Sequence, residues 1–366
     1  MRIFKLEEPL IYNYFRSGFY SFISRDHGLL EKITDRAGVC IKVFFNPLIG
    51  DIQDYYWGHP FLVSSNTMLP RLERAKLVDA VIIKNLCAWH GLAPRVYEII
   101  GLQWEGKIYP ALIEDDLGEA SDMVAWDDRV KVMEAIKKLG KEYGFFTEYE
   151  DLGQARNFIK GKLVDFQGFK LKDDYRDQVI KRYNDKAKWA ENTYQSVPEL
   201  GIGGYRDNER RLELMELDKM DFKGKTVLDI GCSGGFYCRY ALFKGAIRVM
   251  GVDLPEVVEP AFEVSNYLGY HGIDYTGMVL EKDLDYNFGF SIDIIFFLSV
   301  YRYFEYPPYL KKAKTVIYEH NGDVPEETAI AQFKADFPYM KDLGITGRDT
   351  GSKDDRHTII FSKEEF

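Results

Sequence analysis

The stretch from Lys225 to Asp253 constrains the fold more than any other part of this 366-residue chain. Thr226-Val227-Leu228 is β-branched and apolar, suited to a strand buried on both faces. It runs into Asp229-Ile230-Gly231-Cys232-Ser233-Gly234-Gly235-Phe236, where glycines permit a tight turn and close approach of the backbone to a ligand. A helix is predicted over 237–243, ended by Gly245, and a second strand over 248–252 ends in Asp253. Strand, glycine turn, helix, strand and acid form the first unit of a doubly wound α/β domain. An acid about 20 residues beyond the first glycine is placed to hold two ribose hydroxyls. Asp229 precedes the first glycine, and the turn reads Gly-Cys-Ser-Gly-Gly rather than Gly-x-Gly-x-x-Gly. Both features argue against a nicotinamide site, because a carboxylate there suits a cationic amino-acid ligand better than a pyrophosphate.

Val227-Leu228-Asp229-Ile230-Gly231-Cys232-Ser233-Gly234-Gly235 resembles the first motif of class I S-adenosylmethionine-dependent methyltransferases, and Val252-Asp253-Leu254 resembles their second. The resemblance spans roughly residues 200–320. It implies a Rossmann-like sheet and S-adenosylmethionine as cofactor. It sets the methionine moiety against Asp229, Gly231, Cys232, Ser233, Gly235 and Phe236. The ribose falls on Asp253, with Leu254 beside it, and the adenine near Met278 and Val279. Many members carry an acid where this chain has Met278, so Glu281, Asp283 or a backbone carbonyl is left to meet the adenine amine. Upstream, Gly203-Gly204-Tyr205-Arg206 resembles a segment whose arginine pairs with the methionyl carboxylate in a bidentate fork. A solvated helix start is an equal reading of Arg206.

The strand-like run 292–301 resembles the family's fourth strand, whose end, Leu298 and Ser299, lines the cofactor and acceptor pocket. Tyr301 stands near the place where many members have a histidine. The next strand, 315–318, ends in Glu319-His320. Ligands of open α/β sheets sit at the carboxyl ends of strands, so Glu319 and His320 are the candidates for an acceptor-binding or general-base pair, with Tyr301 beside them. Capping of a strand and turn is the alternative reading. A hairpin near the C-terminus, including 358–361, is expected to close the sheet with antiparallel strands.

The first half holds a second pattern. Val39-Cys40-Ile41-Lys42-Val43-Phe44 alternates around a lysine, like the third strand of a protein kinase fold, where the lysine reaches the phosphates of ATP. The segment 16–22 stands where a phosphate-covering hairpin is expected, with one glycine instead of three. A helix over 72–86 offers Glu73 or Asp79 to Lys42, and the spacing to Gly91-Leu92-Ala93-Pro94 favours Asp79. Asp116-Leu117-Gly118 resembles an interlobe hinge. The segment 149–159, with Asp151 and Asn157, resembles the catalytic loop of aminoglycoside- and lipopolysaccharide-type kinases, and Leu163-Val164-Asp165-Phe166-Gln167-Gly168 resembles the metal-binding Asp-Phe-Gly. The resemblance makes Asp151 the acceptor of a substrate hydroxyl proton and gives magnesium to Asn157 and Asp165. The loop is one residue longer than usual, and Tyr149-Glu150 replaces the expected histidine.

These patterns imply an N-terminal α+β kinase-like domain (1–169), a charged helical connector (170–200) and a C-terminal α/β methyltransferase domain (201–366). The net charge of −10 disfavours non-specific nucleic-acid binding, whose phosphates must be met by lysine and arginine. No stretch reads as a signal peptide or membrane span, and the four scattered cysteines suggest reduced thiols, which together point to the cytoplasm. The expected reaction is methyl transfer to an oxygen or nitrogen of a small-molecule or glycan-type acceptor, the acceptor class following by analogy from methyltransferases that carry a kinase-like domain. The rival readings are a bifunctional kinase–methyltransferase using ATP and magnesium, and an inactive kinase-like adaptor.

Overall fold

A computed structural model describes residues 3–5, 21–24, 30, 33–34, 36–44, 71–104, 107–118, 124–147, 158–164, 166, 169–189, 192–206, 208–281, 285–321, 326–348 and 355–366. Contacts divide the chain into two compact units, Met1–Gln178 and Val179–Phe366.

In the first unit, strands β1 (Ile3–Lys5), β2 (Ser21–Ser24), β3 (Val39–Phe44), β4 (Val96–Trp104) and β5 (Lys107–Asp115) form a sheet ordered β1-β4-β5-β3-β2. β1 runs parallel to β4; the other pairings are antiparallel. Alternation along the strands separates two faces. Val39 and Ile41 of β3 join Ala111 and Ile113 of β5 in one core. Leu112 faces the other way, toward Val81 on helix α1 (Arg71–Trp89). Asn85 of that helix is buried and clamps the start of β4, its amide bonding both backbone groups of Val96 at 2.7 and 3.0 Å.

Helix α2 (Trp126–Tyr143) buries Ile136, Leu139 and Tyr143 and ends at Gly144, whose φ of 85° is the left-handed cap expected of glycine. β6 (Phe145–Thr147) follows. The hairpin of β7 (Phe158–Ile159) and β8 (Lys162–Leu163) turns through Lys160 and Gly161, both at positive φ as a two-residue type I′ turn requires. β9 (Phe169–Leu171) pairs back on β6. The boundary between units falls inside helix α3 (Tyr175–Lys186), so the expected connector is shared between them.

The second unit begins with the short pair β10 (Lys188–Trp189) and β11 (Asn192–Thr193), then helix α4 (Asn208–Leu214). Its centre is a seven-stranded sheet. The elements are β12 (Thr226–Ile230), α5 (Phe236–Phe243), β13 (Arg248–Asp253), α6 (Pro255–Tyr267), β14 (Ile273–Gly277), β15 (Ile294–Leu298), α7 (Tyr301–Phe304), β16 (Thr315–Asn321), α8 (Glu326–Asp336), β17 (Tyr339–Arg348) and β18 (Asp355–Ser362). The order is β14-β13-β12-β15-β16-β18-β17. The first five strands are parallel, and β18 and β17 close the edge antiparallel, as the resemblance implied.

Every residue of β12 and β15 is buried, which explains their apolar or β-branched character, broken only by Asp229. Leu228, Ile230, Ile295, Phe297, Val316 and Tyr318 pack toward Ala329 and Phe333 of α8 and Phe337 just beyond it, and Phe333 stacks on Phe361 with centroids 4.6 Å apart. The opposite face carries Asp229 and Phe296, the latter against Tyr237 of α5 and Phe222 with ring centroids 5.5 and 6.1 Å away. Among the described residues no helix is long and apolar enough to cross a membrane.

Candidate functional site

The glycine turn between β12 and α5 is held from three sides. Gly231 and Cys232 donate their N–H groups to the Val252 carbonyl at 2.8 and 3.2 Å. Gly231 has φ 72°, and a Cβ there would lie 2.6 Å from a methyl of Val300; Gly235 has φ 75°, and its Cβ would lie 2.0 Å from the Tyr275 hydroxyl. Only glycine meets both demands. Asp253 closes the third side: one carboxylate oxygen accepts the Ser233 N–H and the other the Leu254 N–H, each at 2.8 Å. Burial pushes the Asp253 carboxyl up, and these two N–H groups pull against it.

Asp229 lies beneath the turn, fully buried, accepting from the Cys238 thiol at 3.3 Å. Burial raises its carboxyl from the ordinary 3.8 to about 7, the thiol bond opposes this, and the neighbouring Asp253 adds to it. Burial likewise pushes the Cys232 thiol up to about 11. The start of α5 is fixed by Gln195, whose side chain accepts the Phe236 N–H at 3.1 Å, and by Arg239, which donates to the Gly234 carbonyl at 2.7 Å. Gln195 was not singled out by sequence; it lies 41 residues before its partner, and nothing local marks it.

At the ends of β13 and β14, Leu254 and Val279 remain 42% and 68% exposed, an apolar rim where an adenine is expected. The Met278 N–H donates to the Asp253 carbonyl at 2.9 Å, while its side chain packs on the core of the α8 face. The Glu281 N–H donates to the Tyr286 hydroxyl at 2.9 Å, and Asp283 lies outside the described residues.

The expected Glu319–His320 pair is separated by the sheet itself. Neighbouring residues of a strand point to opposite faces. Glu319 is fully buried on the α5 face, paired with Arg211 of α4 and accepting from the Ser299 hydroxyl, with Arg356 of β18 at 3.9 Å. Burial pushes its carboxyl up, but Arg211, Arg206, the Ser299 bond and Arg356 outweigh this and hold it below the ordinary glutamate range. That is the setting of an ion-pair anchor, and it corrects the expectation of a joint base. Ser299 adopts φ 61°, an uncommon conformation for a non-glycine residue, at the end of the central strand. His320 shares the α8 face with Tyr318, whose hydroxyl lies 3.3 Å from its Nδ1. Tyr301 packs edge-on against Tyr318 and donates to the Gln332 side chain at 2.5 Å.

Arg206 is buried, with its guanidinium carbon 4.5 Å from the centre of the Tyr194 ring. Among the described residues, buried polar atoms without hydrogen-bond partners include both amide atoms of Asn208, Nε and Nη1 of Arg211, the Tyr237 hydroxyl, Nε and Nη2 of Arg239 and one carboxylate oxygen of Glu199. The guanidinium of Arg211 lies 5.8 Å from the Tyr237 ring centre. The orphaned donors, the glycine cradle and the apolar rim together fit a ligand with a polar tail and a flat apolar head, as S-adenosylmethionine has.

In the first unit Lys42 donates to the Val164 carbonyl at 3.2 Å, beside Asp165 in sequence. Asp79 does not pair with it. Asp79 takes a long 3.5 Å bond from the Leu171 N–H, and burial raises its carboxyl to about 6. Among the described residues of this region, Lys84 of α1 forms an ion pair with Glu114 of β5 at 2.5 Å, both nearly fully buried, and Lys84 also reaches the Val164 carbonyl at 3.3 Å. Nothing in the local pattern marks this pair, since Lys84 and Glu114 sit within apolar runs that read as core. Asp151, Asn157 and Asp165 lie outside the described residues, as does the 16–22 segment except Ser21 and Phe22. Among the described residues no group of three or more His, Cys, Asp or Glu is placed to hold a metal ion.

No family model matches the chain. Curated relatives match over part of it. Ribosomal protein L11 methyltransferase of Tolumonas auensis is 35% identical over 92 residues, 25% of this chain and 31% of that protein. The same enzyme of Aeromonas salmonicida is 36% identical over 76 residues, 20% of this chain and 26% of that protein. The chain thus spans about a third of the length of the first relative. A structure of the bifunctional kinase–methyltransferase WbdD aligns with 52% of this chain and 46% of that one at 17% identity and a TM-score of 0.37, too low to support an argument.

Proposed function

We propose that the chain is an S-adenosylmethionine-dependent methyltransferase whose cofactor site is built on β12, β13 and the turn between them. The observation that carries the reading is Asp253: an acid at the end of the second strand, its two oxygens held against the glycine turn by Ser233 and Leu254. The local identity to ribosomal protein L11 methyltransferases supports it. In this reading Asp253 takes the ribose hydroxyls, Leu254, Met278 and Val279 flank the adenine, and the turn from Gly231 to Phe236 receives the methionine moiety over Asp229. Leu298 and Ser299 border the acceptor.

S-adenosylmethionine, when bound, supplies a methyl group on a sulfonium. The chain's own work is then mostly positioning, which brings a nucleophile into line and excludes water. Where the acceptor is a hydroxyl, His320 is the proposed proton acceptor, with Tyr318 and Tyr301 fixing its surroundings, while Glu319 orders the arginines. The acceptor is proposed to be an oxygen or nitrogen of a small-molecule or glycan-type compound, on the analogy with two-part enzymes of this kind. Titration calorimetry with S-adenosylmethionine and S-adenosylhomocysteine tests the reading. Binding that is lost in Asp253→Ala supports it, and absence of binding of either compound to the wild-type chain refutes it.

A second reading adds phosphotransfer in the first unit. What favours it is the bond from Lys42 to the Val164 carbonyl, which brings the strand lysine to the residue before Asp165 across 122 positions of sequence. Lys42 would then meet ATP phosphates, Asn157 and Asp165 magnesium, and Asp151 the substrate hydroxyl. Magnesium-dependent ATP turnover abolished by Asp165→Ala is the expected result; no nucleotide binding at millimolar ATP rules the reading out and leaves the first unit as an adaptor.

A further inference from the structure

Beside His320 stands a second histidine that the proposed reaction leaves unused. In the antiparallel pair of β16 and β18, His320 lies directly opposite His357. Residues opposite each other point to one side of a sheet with Cβ atoms about 4.5–5.5 Å apart, so the two side chains are neighbours on the α8 face. Asp342 on β17 extends the row. It is opposite Ile359, two residues along from His357, and so shares that face; a bulge follows it at Gly344. One oxygen of Asp342 lies 2.6 Å from Nε2 of His357 and also accepts the Gly344 N–H at 2.8 Å.

Exposure rises along the row. His320 is 7% exposed, the His357 side chain 25% and the Asp342 side chain 47%. Burial pushes the Asp342 carboxyl up, but the bonds from His357 and Gly344 outweigh this and hold it below the ordinary aspartate range. An ionised carboxylate only accepts, so Nε2 of His357 carries the hydrogen, and in the neutral ring Nδ1 is left to take a proton. That is the arrangement of a base oriented by an acid. The other charged side chains of these strands, Lys341, Glu319 and Arg356, alternate to the opposite face. On α8, Asp336 is taken by Tyr306 and Lys311, and Glu327 and Lys334 are exposed.

A buried base needs an exit for its proton. Methyl transfer to a hydroxyl forms a C–O bond and breaks the S–CH3 bond, whose electron pair stays on sulfur. The hydroxyl proton goes to His320 in the proposed reaction, and His320 is largely shut off from water. We infer that His357, oriented by Asp342, is the proton outlet of His320. The proton passes from His320 to His357, directly or through one water, and from there to solvent, while Asp342 stabilises the imidazolium. His357 and Asp342 are thus positioning residues that return the base to its neutral form for the next turnover. The inference rests on the methyltransferase reading with His320 as the base.

NMR of the full chain with 15N-labelled histidine tests it without an acceptor in hand, since six histidines are few enough to assign by substitution. In His357→Gln the pH midpoint of His320 is expected to rise by roughly 0.5–2 pH units, as for removal of a like charge about 6 Å away at effective dielectric constants between 80 and 20. Exchange of the His320 ring N–H with water should slow several-fold in the same variant. In Asp342→Asn the neutral His357 should lose its preference for the Nε2–H tautomer. Both substituted side chains are partly exposed, so both variants are expected to fold. The inference is overturned if either the midpoint or the exchange rate of His320 is unchanged in His357→Gln, or if neutral His357 of the wild type carries its hydrogen on Nδ1. Failure of the wild-type chain to bind S-adenosylhomocysteine and S-adenosylmethionine would overturn the methyltransferase reading whatever the histidines do, so the two failures are distinct.

Discussion

Replacing Asp229 by asparagine tests the electrostatics beneath the glycine turn. Burial raises the Asp229 carboxyl from 3.8 to about 7. At pH below 3.8 the group is protonated in both folded and unfolded chains and contributes no pH dependence. As pH rises past 3.8, the unfolded chain gives up its proton while the folded chain keeps it, so stability falls. The fall ends once the folded group ionises, near pH 7. The interval is roughly three pH units, and at about 1.36 kcal/mol per unit the wild-type chain loses roughly 4 kcal/mol across it from this residue. Asparagine has no such titration. Urea denaturation of the wild type and Asp229→Asn, followed at pH 4 to 8, should give two stability profiles whose difference changes by about this amount between pH 4 and 7 and is level above. The difference isolates Asp229 from the other ionisable groups, which titrate in both proteins. Parallel profiles over the whole range would refute the reasoning, because they would mean that the carboxyl titrates as it does in water. Cofactor binding should move the other way, weakening in Asp229→Asn at pH 8, where the wild-type carboxylate is available to a cationic tail.

Gly235→Ala adds a Cβ 2.0 Å from the Tyr275 hydroxyl at a φ of 75°, so it should destabilise the second unit by about 1–3 kcal/mol or more and abolish cofactor binding, read by thermal melting and calorimetry. Glu319→Gln leaves Arg211 buried without its counter-charge and should cost about 3–5 kcal/mol by chemical denaturation; a loss below 1 kcal/mol would mean that the pair is hydrated in solution. The Glu319 carboxyl is held low, so its contribution is present above the unfolded glutamate value and lost as pH falls through the folded one, which predicts steeper acid unfolding in the wild type than in Glu319→Gln. Lys84→Met strands Glu114 inside the first unit and should cost a similar 3–5 kcal/mol there, visible as faster proteolysis of that unit; unchanged cleavage would count against a buried pair.

The local part of the fold was legible because it is written in neighbouring residues. Thr226–Ile230, the glycine turn and Asp253 follow one another along the chain, and strand burial, turn geometry and strand-end acid each leave a mark on residue type. The contacts that complete the site leave none. Gln195 reaches Phe236 across 41 positions, and Arg211 reaches Glu319 across 108. In sequence, Arg211 looks like one more charge on a short helix. Arg206 was picked out by resemblance; that Arg211 is buried with it and that both act on Glu319 is a property of packing. Lys42 and Asp79 show the same limit: helical spacing offered the acid, but the fold turned Asp79 toward Leu171 and put Lys84 and Glu114 together.

Glu319 and His320 carry the wider consequence. They are adjacent in sequence and seemed one catalytic pair, yet strand alternation sends their side chains to opposite faces of the sheet. The division sorts the surrounding chemistry. On the α5 face stand Asp229, Tyr237, Arg211, Glu319, Ser299 and Arg356, a charged network in which Glu319 is ionised and tied to arginine. On the α8 face stand His320, Tyr318 and Tyr301, an aromatic set in which Tyr301 is held by Gln332 and its hydroxyl is pushed up by burial. The arginines and the ionised Glu319 suit recognition of a charged ligand tail, because they gain partners without changing protonation, whereas burial raises Asp229 beside them to about 7. Proton removal from an acceptor needs a group whose protonation can change near neutrality, and of these strand-end groups histidine has the nearest ordinary value. The proposed recognition and proton-transfer roles thus fall on opposite faces of the sheet, with Ser299, at the end of the strand between β12 and β16, bonded to the Glu319 side.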